Sequence, residues 1–317
     1  MARKVILDVD TGTDDAVALM VAALSPDIEF IGATTVNGNT RVSNCTENTL
    51  RVLDYINARI PVYQGCPEPM VAHLTPNRRP KKAWRNRTVH GDLLDLPPAQ
   101  TKPQKQHAVS WLIETYLKSA GDITLIPVGP LTNIAMAMRM EPKILPKIPE
   151  IVIMGGGVHI HNVTAAAEFN IWTDPEAAKI VMNCGRPIRL VPLDATFKAY
   201  ISREDSRHLK AIGTPAAIAS ASMIERRLEG YKTYMSMEVP NTVPLHDALA
   251  VCAVIDPTVI ETEFINVDVE INGGIADGQC VCDLLNRTKR SPNVHVALNA
   301  DRKKYVRMLT EILSRSI

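Results

Sequence analysis

The sequence is short of aromatic residues, of net charge and of closely paired cysteines. Its 317 residues include four Phe, three Trp and seven Tyr, so a flat ring ligand has few possible stacking partners. Lys and Arg number 35 against 34 Asp and Glu, a formal charge of +1. The broad basic footprint of a nucleic-acid or membrane-surface binder is missing. No apolar run approaches the length that spans a bilayer. The first apolar stretch, Val5-Ile6-Leu7, is cut off by Asp8, too soon for a secretory leader. A cytoplasmic location is therefore expected. The six cysteines (Cys45, Cys66, Cys184, Cys252, Cys280 and Cys282) are scattered and form no CxxC pair. That argues against a zinc site or redox dithiol and for reduced, buried thiols. Cys280 and Cys282 are expected on one face of a strand.

What is present is ordinary for a soluble chain: 46% apolar and 22% charged residues. A chain of this length buries a large core without staples, which excludes disorder as its main state. Short β-branched runs alternate with stretches of helical periodicity. Strands are expected at Val5–Leu7, Ile28–Thr34, Ile60–Tyr63, Ile123–Ile126, Ile151–Met154 and Ile188–Val191. Helices are expected at Asp15–Leu24, Val42–Ile56, Val109–Lys118, Leu131–Arg139 (capped near Thr132) and Asp174–Met182. In the last of these, Asp174 supplies the N-cap and Pro175 the first helical position. Residues 67–106, rich in proline and basic residues, read as a long loop region. Residues 202–256 read as mainly helical and 264–298 as short strands with a Gly273-Gly274 turn. The rhythm predicts an α/β fold: an open, mostly parallel, Rossmann-like sheet with helices on both faces, plus a small C-terminal β-containing region. No linker or repeat divides it, so residues 1–317 are read as one domain.

In such sheets ligands bind beyond the carboxyl ends of the strands. The acids crowd there after the first strand, in Asp8-Val-Asp-Thr-Gly-Thr-Asp-Asp15. One or two could cap the next helix, but four repel one another unless a cation or protons neutralise them. A hard ion such as Ca²⁺ or Mg²⁺ takes oxygen ligands of this kind. Asn37 and Asn39 follow the second strand. His246-Asp247 opens an apolar helical stretch, where Asp247 is by itself an ordinary N-cap. Glu168-Phe169-Asn170 sets a carboxylate and an amide around one ring, a composition suited to a polyol, in a segment with little reason to be buried. The plain alternative is a surface loop with a pinned Phe.

Six stretches, in order, resemble the inosine–uridine-preferring nucleoside hydrolases, which cleave N-ribosyl bonds. They are Asp8-Val-Asp-Thr-Gly-Thr-Asp-Asp-Ala-Val-Ala18, Asn37-Gly-Asn39, Pro127-Val-Gly-Pro-Leu-Thr-Asn-Ile-Ala135, Ile153-Met-Gly-Gly-Gly157, Ala166-Ala-Glu-Phe-Asn-Ile-Trp-Thr-Asp-Pro-Glu-Ala-Ala178 and His246-Asp247. The resemblance covers about residues 4–255. It implies a Ca²⁺ ion held by Asp10, Asp15, Asp247 and the backbone carbonyl of Val128. The ion would also hold the ribose 2′- and 3′-hydroxyls and one water. Asp14, Asn39 and Asn170 would bond those hydroxyls. Asn162 and Glu168 would hold the 5′-hydroxyl, with Met154 lining the sugar pocket and Phe169 near sugar or base. Asp10 is the implied general base for the water, attacking with inversion, and His246 the implied acid for the departing base. His90 is the second implied contact at the base end.

The His before the last metal Asp implies uridine and other pyrimidine nucleosides as substrates, with inosine also accepted. Trp172 is read as structural. After His90-Gly91-Asp92 the chain lacks the glycine-rich loop of the family, so a purine-leaning or broad specificity is the alternative. The basic run from Arg78 to Arg87 reads as a solvated loop. By the resemblance one of Tyr231 and Tyr234 reaches the site, which of them being left open, and Arg226 and Arg227 are left unplaced. The family resemblance also implies a homotetramer or homodimer, with no nucleic-acid or membrane partner. Three readings outside this activity compete, one of them a purely structural Ca²⁺ protein, which would need neither the His nor the Glu168/Asn170 pair. Asp8-Val-Asp10-Thr11 mimics the nucleophile motif of haloacid-dehalogenase-type phosphatases, and a nucleoside-binding protein without turnover would keep the same pocket.

Overall fold

The computed structural model describes residues 2–75, 90–235 and 237–317. Its strands are β1 (Arg3–Val9), β2 (Ile28–Thr35), β3 (Val62–Gln64), β4 (Ile123–Pro127), β5 (Ile151–Met154), β6 (Ile188–Val191), β7 (Tyr200–Ser202), β8 (Thr242–Pro244), β9 (Ile260–Ile265), β10 (Val267–Val269), β11 (Cys280–Cys282) and β12 (Val294–Ala300). Among the described residues, eight form one sheet in the order β3-β2-β1-β4-β5-β6-β12-β9. Its pairings are parallel except for β9 on β12. The expected open, mostly parallel sheet is the one observed. The C-terminal β region divides: β10 and β11 form a separate antiparallel pair, while β12 and β9 extend the main sheet.

The helices are α1 (Thr13–Leu24), α2 (Val42–Tyr55), α3 (Ala108–Lys118), α4 (Thr132–Met140), α5 (Phe169–Thr173), α6 (Pro175–Met182), α7 (Leu193–Thr196), α8 (Arg203–Ile212), α9 (Pro215–Tyr234), α10 (His246–Ile255) and α11 (Arg302–Leu313). They cover both faces of the sheet, which is why the strands are apolar at consecutive positions rather than alternate ones. Val5, Leu7 and Val9 of β1 enter one core, with residues of α1, α9 and α10. Ile6 points the other way, into a second core with Trp111 and Leu112 of α3 and Ile134 of α4.

Some expectations need correction. The third strand begins at Val62, because Pro61 has no N–H and contributes only its carbonyl, to Ala33. Thr132 does not cap α4: its hydroxyl donates to Asp174 Oδ2 at 2.7 Å. Asp174 caps α6 as expected, accepting from the Ala177 amide at 3.1 Å. The segment around Glu168 is not a surface loop. Glu168 caps the short helix α5, and Glu168 and Asn170 are buried.

Strand order reverses between β1 and β4: β2 and β3 lie to one side, β4, β5 and β6 to the other. A sheet of this kind opens a crevice at that switch point, beyond the carboxyl ends of β1 and β4.

Candidate active site

The crevice is built from the residues that leave those strands. Asp10 follows β1 directly, and the chain turns through Thr11-Gly12 into α1, whose first turn carries Asp14 and Asp15. Asp15 accepts the amides of Gly12 (2.9 Å) and Asp10 (3.1 Å), so it braces the turn as a helix-start acid should. From the loop after β2, the Asn39 amide donates to Asp10 Oδ2 at 2.6 Å, and the Asn39 side chain reaches Asp15 at 3.3 Å. That approach requires glycine at 38, since a Cβ there would lie 2.0 Å from Asp10 Oδ2. Asp247 arrives from far along the chain, in the first turn of α10, which packs against α1. The N-cap of α10 is Leu245, so Asp247 is not a cap. Carboxylate oxygens of Asp14, Asp15 and Asp247 lie within 4.8 Å of one another. Asp10 is buried beside them.

Among the described residues, the cation paired with one of these four acids faces Asp14. Arg227, itself 1% exposed, places Nη1 2.9 Å from Asp14 Oδ1. Burial pushes the Asp14 carboxyl up, but Arg227, with smaller help from His90, His246 and a backbone amide, outweighs it and holds the group below the usual range. The others move the opposite way. Burial and the charge of Asp14 push Asp15 up to about 7. Burial with Asp15 and Asp14 drives Asp10 well up, and burial with Asp14, Asp15 and Asp10 does the same to Asp247. A buried, all-oxygen cluster short of positive charge fits a hard divalent cation.

The sugar side comes from β4, β5 and α5. Val128 follows β4, and its carbonyl accepts from Asn170 Nδ2 at 2.7 Å. The same amide donates to the Met154 carbonyl at 3.2 Å. Glu168 gathers three amides on one oxygen: Gly156 (2.8 Å), Asn170 (2.9 Å) and Ile171 (3.3 Å) all donate to Oε2. Burial still raises its carboxyl to about 7. Asn162 accepts from the Phe169 amide at 3.0 Å. The structure thus gathers Met154, Asn162, Glu168, Phe169 and Asn170 about the ends of β4 and β5.

At the far side both ring nitrogens of His246 are engaged. Nδ1 lies 2.7 Å from Thr196 Oγ1 and Nε2 lies 3.1 Å from the Tyr231 hydroxyl. Burial, with Arg227 adding to it, lowers this imidazole to about 3, so it is neutral. His90 accepts the Thr13 amide on Nδ1 at 3.0 Å and sits 3.7 Å from Asp14. Burial lowers it to about 4. Gly12 makes room for it, since a Cβ there would meet the His90 ring at 2.4 Å.

Arg227, Thr196 and Thr13 lie among these groups and were not assigned to the site from the sequence, whereas Tyr231 is one of the two tyrosines expected there. The available signal was a charge at position 227 on the apolar stripe of α9, four residues before Tyr231. Of the two tyrosines, Tyr231 meets His246, while Tyr234 donates to the Asn162 carbonyl at 3.2 Å. Asp8, the nucleophile of the phosphatase reading, has no exposed surface and is bonded through Oδ1 to Thr34 and Asn133. A substrate phosphate cannot reach it. The run Arg78 to Arg87 lies outside the described residues. All six cysteines are free, but only Cys45, Cys252 and Cys280 are buried as expected, while Cys66, Cys184 and Cys282 are half-buried.

Residues 5–307 match the sequence profile of a family described as inosine-uridine preferring nucleoside hydrolase. The pyrimidine-specific ribonucleoside hydrolase RihB of Shigella flexneri serotype 5b is 38% identical over 303 residues, 94% of this chain and 93% of that protein. A solved plant nucleoside hydrolase, the PpNRh1 enzyme, superposes with a TM-score of 0.89 at 29% identity, covering 99% of each chain. A purine-preferring ribonucleoside hydrolase from Gardnerella vaginalis gives 0.88 at 29% identity, covering 98% of each.

Proposed function

The chain belongs to the inosine–uridine-preferring nucleoside hydrolase family and is a ribonucleoside hydrolase, an N-glycosidase; on that premise we propose that it is a Ca²⁺-dependent enzyme acting on pyrimidine ribonucleosides. The observation that carries the metal reading is the buried acid cluster of Asp14, Asp15 and Asp247, in which, among the described residues, Arg227 pairs with Asp14. Asp10, Asp15, Asp247 and the Val128 carbonyl would hold the ion. That carbonyl keeps a second lone pair beside its bond to Asn170. Bound there, Ca²⁺ would supply Lewis-acid polarisation of water and of the ribose diol.

The rest follows from this chain's own groups. Asp10 accepts the proton of the water that attacks C1′ from the face opposite the base, with inversion at that carbon. Bond breaking leaves positive charge on the ribose, as in other glycoside cleavage. Asp14, ionised by its pairing with Arg227, faces that charge. Asn39 and Asn170 bind the ribose hydroxyls. Both N–H bonds of the Asn170 amide are committed, so its carbonyl oxygen is the group left for a hydroxyl. Glu168 and Asn162 take the 5′-hydroxyl, Glu168 through the oxygen that the three amides leave free. The departing base is met by His246 and Tyr231, with His90 and Phe169 nearby.

The name of the 38%-identical relative and His246 before Asp247 support uridine as the preferred substrate. The name of the Gardnerella structure supports a second reading, in which purine nucleosides, inosine first, are taken instead. Ribose release from uridine, cytidine, inosine, adenosine and guanosine in parallel decides between them. Faster release from uridine and cytidine is expected. Release chiefly from inosine and guanosine would contradict the pyrimidine reading and leave the site chemistry intact. A homotetramer or homodimer is proposed on family grounds, to be read by light scattering.

A further inference from the structure

We propose that Arg227 is a positioning residue for departure of the base: it fixes Tyr231 as the hydrogen-bond donor to His246, and so fixes which His246 nitrogen carries the proton. The inference rests on the nucleoside-hydrolase reading and deepens it. Arg227 lies on the buried face of α9 with Met223, Ile224, Leu228 and Tyr231. An apolar side chain would stabilise such a position as well or better, so a buried guanidinium here calls for a use. Nε donates to the Pro244 carbonyl (3.0 Å), Nη1 to Thr13 Oγ1 (3.1 Å) and Asp14 Oδ1 (2.9 Å), and Nη2 to the Tyr231 hydroxyl (3.3 Å).

A guanidinium N–H can only donate. The Tyr231 oxygen therefore accepts from Arg227, which leaves its single hydrogen for His246 Nε2, 3.1 Å away, in agreement with the Thr196 hydroxyl, which donates to Leu193 and so accepts from Nδ1. Nε2 is then an acceptor, and the ring proton sits on Nδ1, facing Thr196 Oγ1 at 2.7 Å. The Thr196 hydroxyl passes its own hydrogen to the Leu193 carbonyl at 3.3 Å. The chain runs one way from Arg227 through Tyr231, His246 and Thr196. The proton shared by the Tyr231–His246 pair thus rests on the phenol. When the C1′–N bond breaks, its electron pair goes to the base nitrogen, which takes this proton. Arg227 offsets the charge left on the Tyr231 oxygen, and solvent returns the proton after release.

The test uses the full chain, Arg227→Lys, Tyr231→Phe and the double variant. Arg227→Lys keeps a cation opposite Asp14. Each is assayed on uridine and on p-nitrophenyl β-D-ribofuranoside, whose leaving group departs without a proton. Tyr231→Phe is expected to cut kcat on uridine about 100-fold and on the nitrophenyl riboside less than about 3-fold. Arg227→Lys is expected to share that selectivity, and the double variant to be no worse than Tyr231→Phe alone. Histidine ¹⁵N NMR of the wild type is expected to place the His246 proton on Nδ1. A proton on Nε2 in the wild type overturns the proposal without reference to any variant. Equal losses on both substrates, or additive losses in the double variant, overturn it too. Silence of the wild type on both substrates would instead bring down the reading beneath it.

Discussion

Asp10 sits where the loops around it have no room to spare, and the proposed mechanism makes it the general base. Asp10→Asn keeps the shape and an acceptor for the Asn39 amide but removes the base and one charge of the cluster. The expected result is a loss of kcat of about 100-fold or more with nucleoside binding retained; equal turnover by Asp10→Asn and wild type would refute the assignment. Glu168 offers a pH test. Its folded-state pKa of about 7 lies above the ordinary glutamate value of 4.5, so the folded protein holds this proton more tightly than the unfolded chain does. The favourable state is fully present below pH 4.5 and is lost as pH rises through about 7, at a cost of about 3 kcal/mol. Glu168→Gln removes that dependence. Thermal melts at pH 5 and pH 8 should show the variant gaining on wild type at the higher pH; a constant difference would contradict the burial argument. The acids after β1 were legible in the sequence because four like charges in eight residues demand an explanation. Arg227 was not, since no spacing connects position 227 to position 14, and only the packing of α9 on α1 brings them together.

At the scale of elements, the turn after β1 and the loop after β2 work as one piece, held by the Asn39 amide on Asp10. Gly38→Ala would force a Cβ to within 2.0 Å of Asp10 Oδ2 unless one of the two moves. Displacing a reacting group by about 1 Å costs on the order of 100-fold in rate. The variant is expected to fold, to lose activity on that order and to need more Ca²⁺ for half-maximal rate. Wild-type kinetics would mean the loop does not position Asp10. The long strands and helices were readable because their apolar spacing decides them: β1, α1, α2 and α6 fall within two residues of expectation. The shorter pieces escaped because side chains elsewhere decide them. Helix α5 exists through the Glu168 carboxylate capping its amides, and Thr132 is drawn from its own helix to Asp174.

At the scale of the whole molecule, the strand reversal between β1 and β4 sets the crevice, and α10 closes it with Asp247 from the far part of the chain. An ion there joins segments more than two hundred residues apart in sequence. Ca²⁺ that binds only the folded chain must raise its melting temperature, by an amount that grows with the logarithm of concentration. The raised pKa values of Asp10, Asp15 and Asp247 add a sign: binding releases protons, so affinity falls as pH drops. Calorimetric titration at pH 6 and pH 8 should give the tighter binding at pH 8. The alternation of strands and helices was enough to read the parallel sheet, whereas the entry of β12 and β9 into it depends on tertiary pairing that local sequence does not encode.

The most direct measurement is ribose release from uridine by protein stripped with chelator, followed by graded return of Ca²⁺. The account predicts that stripping abolishes release and that Ca²⁺ restores it along a saturating curve. Undiminished release by the stripped protein would contradict the claim that the buried carboxylates are there to hold a cation that drives the reaction.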